Sequence, residues 1–276
     1  MKIKTLAAAV ATASLTLASA GAMAAITGSK HDLTAAAAGK NSTTGTNEIC
    51  VFCHTPHGSD TSASVPLWNR KMAAPTTYTT YASLNTVSLD GTIAPVGSVS
   101  LACLSCHDGT QAMDALINAP GSGGYSMSAP DQAWTWATGG TADLTGRLAS
   151  GVANLGQDLR NDHPVGVQYA GGGATATNLS NFRDPDFKPL LTSTINGNQV
   201  WWVDSGTVTG SRDKSDMILY SRNDFPGATG VMQPSVECAS CHDPHAGETA
   251  SVSPPSVAFL RMSNAGSAVC LACHVK

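Results

Sequence analysis

Cysteine and histidine recur together four times in this sequence, in the pattern Cys-x-x-Cys-His. Two thiols at this spacing can form thioethers to the vinyl groups of a porphyrin, and the adjacent imidazole can then bind the iron from the proximal side. The four copies use all eight cysteines of the chain. They are named motifs 1 to 4 and span residues 50–54, 103–107, 238–242 and 270–274.

Cys-x-x-Cys pairs also occur in zinc sites and in redox dithiols, so the cysteines alone are ambiguous. A zinc site needs two such pairs per metal, and neither zinc nor a disulfide explains a histidine after every pair. The sequence therefore predicts four covalently bound c-type haems. The predicted attachment residues are Cys50, Cys53, Cys103, Cys106, Cys238, Cys241, Cys270 and Cys273, and the predicted proximal iron ligands are His54, His107, His242 and His274.

Four histidines lie outside the motifs, and four irons need four further axial ligands. The predicted distal ligands are accordingly His31, His57, His163 and His245. Methionine and lysine compete for this role in other cytochromes, but no motif singles one out here. An iron held by two imidazoles is closed to substrate and lacks the methionine that raises the potential in His/Met cytochromes.

Two of the distal candidates belong to the repeated pattern Cys-His-x-Pro-His, which ends at His57 and at His245. The proline restricts the backbone on both of its sides, and the span is too short to wrap around one porphyrin. Each of these histidines is therefore expected to bind the iron of a different motif. The expected pairs are haem one with haem two, and haem three with haem four.

The first 24 residues combine a basic start, a short apolar run and an Ala-x-Ala site, which predicts a cleaved signal peptide. The remaining residues 25–276 are expected to form a single tetrahaem unit with an N-terminal arm over 25–48. The protein is expected to be exported, to an extracellular, cell-surface or periplasmic location, and not to be embedded in a membrane. The formal charge of −4 argues against nucleic acid as a partner.

Charged residues make up 12% and aromatic residues 5% of the chain, so porphyrins are expected to supply much of the buried apolar area. The predicted fold is a haem-packed cytochrome, mostly coil with short helices and few strands. A helix is predicted over 99–119 with an interruption near Gly109, and strands over 198–205 and 216–221 around a turn near Gly210. An irregular loop is predicted over 59–98. The tryptophans between motifs 2 and 3 are assigned to packing.

With the haem motifs, the two Cys-His-x-Pro-His segments and Asn161-Asp162-His163-Pro164-Val165 in hand, the chain resembles a known family. It is similar to the exported multihaem cytochromes that polymerise into extracellular conductive filaments, most of all to their tetrahaem OmcE type. The resemblance implies bis-histidine haems in a continuous chain, with one distal histidine supplied by the next subunit. It also implies redox partner cytochromes and no dedicated substrate pocket.

The N-terminal arm is the expected source of that shared ligand. It consists of small and polar residues with little core of its own, so His31 is predicted to bind an iron of the neighbouring subunit in a head-to-tail homopolymer. The alternative is that His31 folds back on its own chain. Two other functions stay open at this point, a soluble periplasmic electron shuttle and a multihaem reductase. No enzyme activity is expected, because the histidine count leaves no open iron.

Overall fold

The computed structural model describes residues 26–34, 40–72, 78–120, 132–137, 140–206, 210–245 and 259–275. The predicted signal peptide, 1–24, lies outside the described residues. The α-helices of the described part are Ser98–His107 (α1), Cys238–Cys241 (α2) and Ala268–Cys273 (α3). Short 3-10 helices cover Ile49–Phe52, Tyr81–Leu84, Leu159–Asn161, Tyr169–Gly171 and Ala265–Ser267. Most other residues are turns and coil, which confirms the predicted fold class.

One antiparallel sheet is present in the described part of the chain. Its strands are Val167–Gln168 (β1), Leu191–Ile195 (β2), Asn198–Val203 (β3), Met217–Arg222 (β4) and Gln233–Val236 (β5), in the spatial order β1-β5-β4-β3-β2. β3 and β4 match the predicted strands within two residues and pair with each other. The β2–β3 hairpin turns at Asn196 and Gly197, both at positive φ, as a tight two-residue turn requires.

The sheet carries motif 4 on one of its surfaces. Trp201 and Leu219 are buried in a cluster that also contains Ala272 of α3. The Trp201 indole nitrogen donates a hydrogen bond to Ser221 Oγ at 2.8 Å, so its one polar group is satisfied. Trp136 and Trp202 are also buried, which agrees with the assignment of these side chains to packing.

Motif 2 forms the end of α1, which is shorter than the predicted helix over 99–119. The helix ends at His107, and Gly109 follows at φ +70°. This left-handed conformation commonly stops a helix, and a Cβ at Gly109 would lie 2.7 Å from the carbonyl oxygen of Leu148. Leu101 and Leu104 are buried on the inner side of α1. The chain beyond Gly109 continues as turns rather than as a second helical segment.

The N-terminal arm packs against the rest of the chain, although no core was expected for it. Leu33 is buried in a cluster with Phe52 and Trp136. The Asp32 carboxylate accepts hydrogen bonds from the backbone of Gly28 and Thr34, which folds this segment into a compact turn. The arm therefore has a defined position within its own chain. Across the described ranges, no helix has the length and apolar character needed to cross a membrane.

Candidate haem-attachment and iron-ligand sites

Each Cys-x-x-Cys-His motif occupies one helical turn. The backbone N–H of the histidine donates to the carbonyl oxygen of the first cysteine, at 2.8 Å for His54, 3.1 Å for His242 and 3.0 Å for His274. Motif 2 lies wholly inside α1 and has the same helical geometry. Because residues three and four apart share one face of a helix, the thiols and the imidazole come from neighbouring positions.

Two proximal histidines are oriented by backbone carbonyl groups. Nδ1 of His54 lies 2.9 Å from the oxygen of Pro66, and Nδ1 of His107 lies 2.8 Å from the oxygen of Ala153. A carbonyl oxygen can only accept, so Nδ1 carries the proton and Nε2 keeps its lone pair. This is the usual arrangement behind a metal-binding histidine, in which the second nitrogen is fixed by a hydrogen bond.

Two pairs of imidazoles have nearly equal centroid separations, with ring planes at 76° in one pair and 17° in the other. The ring centroids of His31 and His107 are 6.2 Å apart, and those of His54 and His245 are 6.1 Å apart. Two histidine nitrogens, each about 2 Å from a metal on its opposite sides, place their ring centroids about 6 Å apart. Both gaps therefore fit one iron held by two histidines.

His31 is placed by the docked N-terminal arm. Its ring stacks on Phe259, with centroids 4.3 Å apart and an angle of 8° between the planes. Burial lowers the pKa of His31 to about 4, with smaller contributions from His107 and His245. The imidazole is therefore neutral, the form that binds a metal, and its buried Nδ1 has no hydrogen-bond partner within the described residues.

The sequence predicts that His31 binds an iron of a neighbouring subunit, and this stays a prediction. Within the chain, His31 lies opposite His107. The arm is held there by a buried leucine and an aspartate-capped turn. This placement favours the alternative in which His31 folds back on its own chain.

His245 lies opposite His54 and so connects motif 3 with motif 1. The prediction placed His245 at the iron of another motif but expected that to be motif 4. Asp243 faces the other side of the ring, with its Oδ1 3.5 Å from His245 Nδ1, and this contact raises the pKa of His245. The second oxygen of Asp243 lies 3.6 Å from the guanidinium of Arg261. Asp243 thereby orients the ring.

His57 and His163 are exposed, and the structure does not bring either ring to a proximal histidine. The backbone oxygen of His57 accepts hydrogen bonds from Thr55 Oγ1 at 3.0 Å and from Asn118 Nδ2 at 2.6 Å. His163 follows the 3-10 helix Leu159–Asn161. Among the described side chains, neither imidazole makes an aromatic ring contact, so both rings are available at the surface.

The histidine of motif 4 has a different environment from those of motifs 1 and 2. The ring of His274 packs on Phe187, with centroids 4.2 Å apart. An antiparallel bridge joins the same two residues, and a similar bridge joins His242 to Leu260. Bridges to crossing segments thus hold three of the proximal histidines, since His54 is joined to Trp68 in the same way.

Motifs 2 and 3 meet at their first cysteines. The Cys103 thiol donates to the Cys238 sulfur, which lowers the pKa of Cys238 and raises that of Cys103. Ser100 connects the two helices, because it donates to Glu237 Oε2 at 2.5 Å and accepts from the N–H of Cys238 at 3.0 Å. The attachment sulfurs of two motifs therefore lie side by side.

Glu237 is held by a buried ion pair. Its side chain is fully buried, and Arg222 donates to Oε1 at 3.1 Å. Arg222 also pairs with Asp224 at 2.5 Å. Burial raises the pKa of Glu237, and the guanidinium opposes that shift. Sequence reasoning missed Ser100 and Glu237, since neither residue belongs to a recognised motif.

The other chemistries considered for the cysteines are not seen. No disulfide joins any of the eight cysteines, all of which lie within the described residues. No group of three or more His, Cys, Asp or Glu side chains converges as a metal site in the described part of the chain. The paired imidazoles, in contrast, have the spacing that a haem iron needs.

A family model described as a doubled CXXCH motif matches residues 232–276, which contain motifs 3 and 4. The comparison with curated proteins returned no match. Together with the geometry of the histidines, the doubled motif indicates covalently bound c-type haem. It also indicates that the chain is a multihaem c-type cytochrome that works in electron transfer.

Proposed function

We propose that the chain carries four c-type haems, one per motif, and that its function is electron transfer through irons held by two histidines each. The observation that carries the proposal is the matched spacing of two imidazole pairs, 6.2 Å for His31 with His107 and 6.1 Å for His54 with His245. When bound, haem supplies reversible one-electron chemistry.

In this proposal, the protein residues orient the axial ligands, and two imidazoles occupy both axial positions of each iron. Carbonyl groups behind His54 and His107 fix the nitrogen that faces the metal, and Asp243 does the same for His245. With both axial positions filled by imidazole, the irons bind no substrate. The proposed function is therefore an electron carrier and not an enzyme.

His57 and His163, the exposed histidines without a described ring partner, are proposed as ligands of the irons at motifs 3 and 4. Their count matches the proximal histidines that still need a partner, His242 and His274. Because both rings are exposed, either can be supplied to a neighbouring copy of the chain.

The resemblance to filament-forming cytochromes leads to the proposal that the exported chain polymerises head-to-tail into an extracellular conductive filament. A ligand shared between subunits would be His57 or His163, since His31 has a partner in its own chain. The alternative assembly is a soluble periplasmic shuttle. Electron microscopy of the native protein separates the two, because a filament is visible directly and a shuttle gives single small particles.

The number of haems and the axial ligands of the irons can be tested by separate measurements. Intact mass and the pyridine haemochrome assay of the purified protein should give four haems per chain. Electron paramagnetic resonance of the oxidised protein should show low-spin iron only. A stoichiometric high-spin signal, or a methionine–iron charge-transfer band, would contradict bis-histidine ligation.

A further inference from the structure

Arg70 is a fully buried cation between motifs 1 and 2. The residue before it, Asn69, donates its backbone N–H to the carbonyl oxygen of Cys53 in motif 1 at 2.9 Å. The guanidinium itself donates to Ser105 of motif 2, from Nε to the hydroxyl at 3.1 Å and from Nη2 to the carbonyl at 2.9 Å. The guanidinium therefore contacts motif 2 directly, and its charge also acts on the Cys53 thiol of motif 1.

All four hydrogen bonds of this guanidinium go to neutral acceptors. Besides Ser105, the acceptors are the carbonyl oxygens of Met113 at 2.7 Å and Ala112 at 2.8 Å. Among the described residues, no carboxylate oxygen lies within 4.0 Å of the guanidinium. A buried charge is normally paired with an opposite charge, so this arrangement is unusual.

Arg222, near motif 3, shows the contrasting arrangement. It pairs with two carboxylates, those of Glu237 and Asp224, and Glu237 directly precedes Cys238. Beside motif 3, two acidic side chains therefore pair with one guanidinium. Near motifs 1 and 2, the Arg70 guanidinium binds neutral acceptors, while the buried carboxylates of Asp108 and Asp114 accept from the Tyr78 hydroxyl and from the N–H of Trp134.

We propose that Arg70 is a potential-setting residue that raises the reduction potentials of the haems at motifs 1 and 2. Reduction adds one electron from a donor to a ferric iron and gives a ferrous iron. A fixed positive charge stabilises the electron-rich state, and the effect is stronger in a dry interior than in water. Arginine keeps its proton at all accessible pH values, so the charge is permanent.

This inference rests on the proposed haem attachment and is tested on the full-length, haem-loaded protein. Arg70→Gln keeps hydrogen-bond donors but removes the charge, and Arg70→Lys keeps the charge but loses the planar fork. Potentiometric titration with dithionite, followed by haem absorbance, measures the midpoint potentials. Arg70→Gln should move two of the four midpoints to more negative potentials, and Arg70→Lys should leave them close to the wild-type values. Arg160→Gln, at an exposed pair with Asp158, serves as the surface control.

A second pair of variants leaves Arg70 in place. Ser105→Asp puts a carboxylate where the serine hydroxyl accepts from Nε, so the charge is neutralised and the same negative shift is expected. Ser105→Asn is the neutral control of nearly equal size. Haem-loaded variants whose four midpoints stay at the wild-type values, or equal shifts in the charge-keeping and charge-removing variants, would show that Arg70 is only structural. Absence of haem from the wild-type protein would instead overturn the proposed function.

Discussion

At the scale of single residues, the candidate site depends on imidazoles whose Nδ1 atoms are held by neighbouring groups. Nδ1 of His54 and of His107 is bound to a carbonyl oxygen, while Asp243 faces Nδ1 of His245. Each such contact occupies Nδ1 and leaves Nε2 for a metal. The ring pairs support the proposed assignment of each of two distal histidines to a particular motif, which a count of histidines cannot provide.

His245→Ala is expected to leave the iron of motif 1 without its distal ligand, because His245 lies opposite His54. Oxidised protein should then show one high-spin iron per chain by electron paramagnetic resonance. The assignment is checked in two backgrounds that each lack one haem. With Cys50→Ser and Cys53→Ser present, His245→Ala should add no high-spin iron. With Cys238→Ser and Cys241→Ser present, it should still add one, and the opposite pattern would contradict the assignment.

His31→Ala tests whether the N-terminal arm acts within its own chain. His31 stands opposite His107, so the variant should convert one iron to high-spin while particle size stays unchanged. Size-exclusion chromatography with light scattering and spin-state measurements on the same sample give both readouts. Phe259→Leu is a milder companion, since it removes the stacked ring but keeps the ligand. Shorter particles in His31→Ala would favour ligation between subunits.

At the scale of elements, α1 and α2 are joined through a serine that serves both helices. Ser100 is fully buried, and it pairs with Glu237 and with the N–H of Cys238. This contact sets the separation of the attachment sulfurs of motifs 2 and 3. Its loss should affect both stability and the relative position of two haems.

Ser100→Ala leaves a buried carboxylate and a buried N–H without this partner, and is expected to lower the free energy of unfolding by about 1–3 kcal/mol. Ser83→Ala is the matched control, because the Ser83 hydroxyl is exposed and bonds only to Thr80. The control should stay within about 0.5 kcal/mol of the wild type. Urea denaturation of haem-loaded protein measures both variants. Equal stability of the two would show that the Ser100 contact does not join the helices.

The strands β3 and β4 could be predicted because apolar and polar residues alternate along them and turn residues lie between them. The helix of motif 2 was placed correctly at its start but not at its end, since a sequence pattern does not reveal that Gly109 packs against Leu148. The motif cysteines and histidines were evident from spacing. The partners of the distal histidines were not, because they depend on where the arm and the segment after motif 3 meet in space.

At the scale of the whole molecule, three motifs gather around the N-terminal arm. His31 faces His107, and its low pKa also reflects His245 and His242 nearby. The sulfurs of Cys103 and Cys238 are in contact on the same side of the structure. Motif 4 lies on the sheet, where its Cys273 and Cys241 of motif 3 pack against the same buried cluster.

His57 and His163 allow a test of assembly. If subunits share a ligand, then either His57→Ala or His163→Ala should shorten the particles and convert one iron to high-spin, while the other variant changes spin state alone. Negative-stain microscopy and light scattering give the length, and electron paramagnetic resonance gives the spin state. Unchanged particles in both variants would show that neither His57 nor His163 joins the subunits.

The pairing of His54 with His245 has a consequence for the order in which the protein matures. The two residues lie in opposite halves of the sequence, and a chain is synthesised from its N-terminal end. If both bind the iron of motif 1, that iron stays without its distal ligand until residue 245 has been made. Its open side would then react with peroxide or bind carbon monoxide. Chains that are cut short before motif 3 should therefore be recognisable by that reactivity, and an unreactive first iron would show that synthesis has passed residue 245.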